Sequence, residues 1–275
     1  MDTQEVWGTT VRYFGNHAQQ RMQRSAHHLW TLLHNDPAFG YEGRSVGVDG
    51  ASPRDVPLLA ALARVQGASI SHYTHPEDEA ALVRDFTAQG FATDHWDQFM
   101  GNEACLAACR AEVRKMPIPE SYRLHRITPD TAPHWFDRLA ETALACHVLP
   151  PASTVLTAET QRAVCLFLEA PDGQVAACAG AVMRNHRESP YGTASWWGML
   201  AVREADRGRA LSLALGARVA LHMHETFGAD TFYTGVRRGN AVSRHVCARL
   251  GVVESGLGCL AVLDPEAFGG AGFTK

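Results

Sequence analysis

The stretch WWGMLAVREADRGRALS, Trp196 to Ser212, decides how the chain is read. Leu200-Ala201-Val202 is an apolar run of the kind that forms a buried strand, and it ends in a charged turn holding Arg203, Arg207, Gly208 and Arg209. Leu211, Leu215 and Val219 then recur at helical spacing, so a helix is expected over Arg207–His224. A strand that runs through a small-residue, arginine-rich turn into a helix N-terminus makes an anion site. The first amides of the helix have no partner within it, the dipole is positive there, and guanidinium groups suit phosphate. An ordinary strand-to-helix turn with solvated arginines is the alternative that this segment alone leaves open.

Working outward, Thr231–Val236 reads as a strand, Asn240–Leu250 as a helix and Val252–Leu263 as a last strand or two. Upstream, Ser195–Val202 is preceded by Val164–Glu169 and Val175–Met183, two strands joined by the turn Pro171-Asp172-Gly173. Before them come a strand at Tyr122–Ile127 and a helix over Pro129–Cys146. Lys115–Ser121 (KMPIPES) carries two prolines that cannot sit inside one helix, and it is the natural boundary. The expected fold class is α/β (α+β), a mixed central sheet flanked by helices.

With these elements in place the chain from Tyr122 to Leu263 resembles the GNAT superfamily of acyl-CoA-dependent N-acyltransferases. The family's first mark, a strand reading L-x-V followed by [RQ]-x-x-G-x-[GA] at a helix start, is matched by Leu200-Ala201-Val202 and Arg207-Gly208-Arg209-Ala210-Leu211-Ser212. Its second, N-x-x-A-x-x-x-Y-x-x-x-G-[FY], is matched by Asn240, Ser243, Cys247, Gly251 and Val252. The resemblance implies that the diphosphate of acetyl-CoA lies on Arg207–Ser212 and that pantetheine pairs with backbone groups of Leu200 and Val202 beside Ala201. Asn240 belongs to the same implied cofactor-binding set. It implies direct attack of a small-molecule amine on the thioester in a ternary complex. Proximity then supplies much of the rate, and backbone amides polarise the carbonyl.

The departures from the motif are specific. Ala210 and Ser212 replace small motif residues. Cys247 stands where the family usually has the tyrosine that protonates the leaving thiolate, so it is either that acid or a packed apolar residue. Ser195–Val202 holds no Asp, Glu or His to deprotonate the amine. Glu169 and Glu188 flank the strands without being singled out, and the base is unassigned. Trp196 and Trp197 face opposite sides of their strand, so only one can look towards an acceptor. A noncatalytic acyl-CoA-binding or regulatory module with the same fold is the alternative function.

The N-terminal region, residues 1–117, reads as a helix with Met22, Ala26, Leu29, Trp30 and Leu33 on one face, a strand at Arg44–Val48, a helix over Asp55–Val65 and a strand at Ala68–Tyr73. A helix then runs from His75-Pro76 to Gly90 and a further strand ends near Gly101. Aligning Gly90 with Gly251 sets Glu79 on Asn240 and Phe86 on Cys247. The region therefore resembles a degenerate partial second copy without an acyl-CoA site, and an unrelated α/β cap is the other reading. The expected division is 1–117 and 118–275, with the N-terminal region forming an acceptor wall or a homodimer surface.

Composition bounds the rest. The 275 residues are 46% apolar and carry 25 basic against 29 acidic side chains, net −4. Mixed charges with no basic cluster speak against a nucleic-acid partner. No long apolar run speaks for a membrane span, and the start lacks a leader pattern. Seven cysteines, an odd and scattered number, fit a reduced, cytoplasmic setting better than a disulfide framework. Cys105 and Cys109 share a helix face without the further ligands zinc needs, so no metal is expected.

Overall fold

The computed structural model describes residues 3–6, 9–268 and 273. Two short strands, β1 (Thr3–Val6) and β2 (Thr9–Arg12), pair antiparallel and lead into α1 (His17–Leu33), whose N-terminus is closed by a reciprocal capping box between Asn16 and Gln19. Two-residue strands β3 (Gly40–Tyr41) and β4 (Val46–Gly47) form a small ladder. Then follow α2 (Val56–Gln66), β5 (Ala68–Thr74), α3 (Pro76–Ala88), β6 (Ala92–Gly101) and α4 (Glu103–Lys115). Glu77, Asp78 and Glu79 sit in the first turn of α3, where they complement the helix dipole.

Beyond the Pro117 and Pro119 connector come β7 (Arg123–Arg126), α5 (Pro133–Ala145), α6 (Ser153–Leu156), β8 (Arg162–Glu169), β9 (Val175–Met183) and β10 (Ala194–Val202). The chain closes with α7 (Leu211–Phe227), β11 (Thr231–Val236), α8 (Ala241–Arg249), β12 (Val253–Leu263) and α9 (Pro265–Phe268). Some elements are shorter than the sequence suggests. The helix expected from Pro129 begins at Pro133, the proline taking the first helical position where its missing N–H costs nothing. The strand expected over Arg44–Val48 is only Val46–Gly47.

Eight strands form one sheet in the order β5-β12-β6-β11-β10-β9-β8-β7. The fold class read from the sequence, a mixed sheet flanked by helices, is what the chain adopts. Side chains alternate between the two faces with period two. Cys165, Phe167, Trp196 and Tyr233 pack with α1 and α5 on one face, and Leu166, Leu168, Trp197 and Phe232 pack with α4, α7 and α8 on the other. Glycine at 216 lets α7 settle onto the sheet: a Cβ there would stand 2.8 Å from Trp197, whose Nε1 donates to the Gly216 carbonyl at 2.9 Å.

The left half of the sheet has a crossed plan. β5–α3–β6 and β11–α8–β12 are both strand–helix–strand units, and Gly90 and Gly251 follow the two helices with positive φ of 83° and 70°. In each unit the second strand pairs with the first strand of the other: β6 lies antiparallel to β11, and β12 antiparallel to β5. β6 and β12 then pair with each other along the middle. No helix among the described residues is long and apolar enough to cross a membrane.

Candidate functional site

β10 and β11 are parallel neighbours for only three residue pairs, the last being Trp196 with Tyr233. β10 runs on to Val202 and β11 to Val236 without pairing further with each other, so the sheet opens between them. On its other side β10 stays paired with β9, but three steps along β10, Gly198 to Ala201, match two along β9, Gly180 to Cys178. The extra residue is a β-bulge, and Met199 within it adopts φ 54°. The bulge re-aims the backbone of Leu200–Val202 beside the opening.

The chain then turns through a single 3₁₀ turn, Glu204–Asp206. Arg203 braces this turn, donating to Asp206 at 2.7 Å and to Asp172 at 2.8 Å. Tyr122 donates its hydroxyl proton to buried Asp206 at 2.8 Å, and Arg209 in turn donates to the Tyr122 oxygen at 2.7 Å. Arg207 is exposed, its Nε 3.4 Å from the Val202 carbonyl.

Gly208 and Ala210 both take left-handed φ, 77° and 56°. α7 therefore starts at Leu211 rather than at Arg207 as expected, because two left-handed residues cannot continue a helix. Among the described residues no side chain caps α7, and its first backbone bond is Ala214 N–H to the Ala210 carbonyl. Among the described residues, nothing accepts from the amides between Gly208 and Leu213. Alternating left-handed and right-handed residues at a helix start turn successive N–H groups inward, a concavity made for an anion.

The other candidate residues fall as follows. Asn240 spends its side-chain oxygen on the Ser243 amide at 3.0 Å and caps α8. Cys247 is 2% exposed and packs in the same core as Cys105 of α4, with burial pushing its thiol up to about 12. Cys105 and Cys109 lie with sulfurs 3.8 Å apart, and no group of His, Cys, Asp or Glu among the described residues could hold a metal ion. Glu169 pairs with His125 at 2.8 Å on the outer strands β7 and β8, and Glu188 is exposed in the turn after β9. Neither stands at the opening. Trp196 and Trp197 do divide between the two faces.

Sequence reasoning missed a buried charged set on the Trp196 face. Glu42, Arg44, Asp49, His72 and Arg184 converge there. Arg184, with no exposed side-chain surface, pairs with Glu42 at 3.2 Å and with Asp49. Asn185 also donates to Asp49, at 2.8 Å. Arg44 donates its Nε to the Leu149 carbonyl at 2.8 Å and lies over the Trp196 ring at 4.6 Å. The available signal was the glycine spacing of GYEGRSVGVDG, residues 40–50. Glycine at 47 lets this segment lie directly on β5, since a Cβ there would overlap the Ile70 carbonyl oxygen at 1.8 Å.

No family model matches this sequence, and no curated protein does. Solved structures do resemble it. A GCN5-related N-acetyltransferase from Kribbella flavida matches with a TM-score of 0.54 at 12% identity, over 89% of this chain and 95% of that one. An X-ray structure of a Drosophila protein matches with a TM-score of 0.53 at 14% identity, over 94% of this chain and 92% of that one. The likeness thus extends well beyond the C-terminal half to which the sequence motifs were confined. Open strands, bulge, amide-lined turn and whole-chain likeness agree: this chain has the GCN5-related N-acetyltransferase fold.

Proposed function

We propose that the protein is an acyl-CoA-dependent N-acyltransferase, most simply an acetyltransferase, that acylates a small-molecule amine by direct attack. The observation that carries this reading is the run of amides from Gly208 to Leu213, without partners among the described residues, beside the length of β10 that β11 no longer pairs. The amides, with Arg207 and Arg209, suit the diphosphate of acetyl-CoA. Backbone groups of Leu200 and Val202 suit the amides of the pantetheine arm, and amides at the Met199 bulge suit the thioester oxygen, whose charge grows in the transition state. Residues 118–275 supply the donor site, and residues 1–117 bind no acyl-CoA but wall the acceptor side.

Cys247 serves as a packing residue in this reading, since a thiol that holds its proton to about 12 and faces α4 is poorly placed to protonate a leaving group. A noncatalytic acyl-CoA-binding module is the second reading, favoured by that buried thiol and by the lack of a carboxylate along β10. Thiol release from acetyl-CoA across an amine panel separates the two. For the donor site itself, Arg207→Glu is expected to weaken acetyl-CoA binding by about ten-fold in calorimetric titration, the effect growing at low salt. Arg207 is exposed, so the fold should not suffer. Unchanged affinity would remove the turn from the binding site.

A further inference from the structure

Resting on the acyltransferase reading, we propose that Arg44 binds a carboxylate on the acceptor, so that the substrates are amines bearing a carboxylate, of amino-acid type. Arg44 is 7% exposed, yet among the described residues no carboxylate lies within ion-pair distance of it. Its one hydrogen bond uses Nε, on the Leu149 carbonyl. Among the described residues, nothing accepts from the two terminal nitrogens, the edge that grips a carboxylate with two parallel bonds, and neither nitrogen is among the unpartnered atoms sealed from solvent. A buried cation with idle donors is costly unless something else satisfies them.

Its position ties it to the reaction. The guanidinium lies over Trp196, the last residue of β10 paired with β11, three residues before the bulge at Met199. Trp196 and Met199 together line a small crevice on that face with Pro151, Val155, Gly180 and Val182. Arg44 comes to the Trp196 ring from the N-terminal region, which is otherwise without a donor-site role. Charge balance narrows the ligand further. Glu42, Asp49, Arg44 and Arg184 sum formally to zero. A zwitterion enters such a set without adding net charge, whereas a dianionic phosphate would leave the set with an excess of negative charge. Within an amino acid the attacking nitrogen sits one carbon from the carboxylate, so holding one places the other.

The experiment compares glycine, alanine and glutamate with glycinamide, alaninamide and ethylamine in thiol release from acetyl-CoA, with KM expressed on free amine. The expected result is a KM at least ten-fold lower for the free acids than for the amides. That gap should collapse in Arg44→Gln and narrow in Arg44→Lys, which keeps the charge and loses the fork, while acetyl-CoA affinity stays at the wild-type value. Amides used as well as acids by the wild-type protein would overturn the inference, as would a gap that survives in Arg44→Gln. If Arg44→Gln fails to fold, the wild-type gap and the lysine variant decide. Acetyl-CoA affinity, titrated without acceptor, reads the donor site separately. Its absence overturns the acyltransferase reading itself, an outcome distinct from transfer to neutral amines.

Discussion

His72 is a histidine held in its neutral form. It is 3% exposed, its Nδ1 meets the Cys259 thiol at 3.1 Å, and Tyr233 packs edge-on at 5.1 Å. Burial, and then the nearby Arg184, bring its pKa down to about 3, with Asp49 opposing and Arg44 adding to the fall. The unfolded chain, with an ordinary histidine near 6.5, binds the proton first. Stability is therefore intact above about 6.5 and is lost as pH falls towards 3, by up to about 1.4 kcal/mol per unit from this group. Denaturant titrations between pH 4 and 7 should show that slope, and His72→Gln should flatten it. A slope unchanged in the variant would mean that other groups cause the acid sensitivity. Arg207 and Gly208 could be read from sequence because local chemistry sets their role. Arg44, Glu42 and Asp49 could not, because what buries them is Arg184 and Trp196, far along the chain.

At the scale of the element, the start of α7 shows what the motif's small residues do. The sequence placed the helix N-terminus at Arg207, and helical spacing through Leu211 and Leu215 allowed that. The left-handed φ of Gly208 and Ala210 instead holds the chain out of the helix for one more turn. Ala210 meets that geometry with a Cβ that crowds its own carbonyl, at a cost of about 1 kcal/mol. Ala210→Gly is therefore expected to raise the thermal midpoint, by up to that amount of free energy, with acetyl-CoA affinity kept. Ala210→Val should lower both stability and affinity, since branching at Cβ makes the left-handed conformation worse. Equal midpoints for all three would show that the turn carries no strain. The bulge at Met199 was invisible in advance, because its signature is a mismatch of register with β9 and no residue type marks it.

At the scale of the molecule, the alignment of Gly90 with Gly251 picked out two strand–helix–strand units but gave no hint of how they pair. Pairing between strands so far apart is a tertiary choice that local patterning does not encode. Both partners of β12 in the sheet, β5 and β6, come from the first 117 residues, as does the outer partner of β11. Residues 118–275 alone would leave both edges of β12 unpaired, and bare edges recruit other chains. That fragment is expected to be insoluble or to elute as large species in gel filtration, while the whole chain does not. A soluble fragment with native acetyl-CoA affinity would show that the donor half stands by itself.

The crossed strands also set a timetable for biosynthesis. β5 and β6 emerge from the ribosome well before the strand that belongs between them, β12, which does not begin until Val253. Over that interval the growing polypeptide carries two adhesive borders waiting for a distant strand. Slow elongation or a stalled message would prolong that exposure, making this a chain whose yield depends on chaperone supply more than its finished stability suggests.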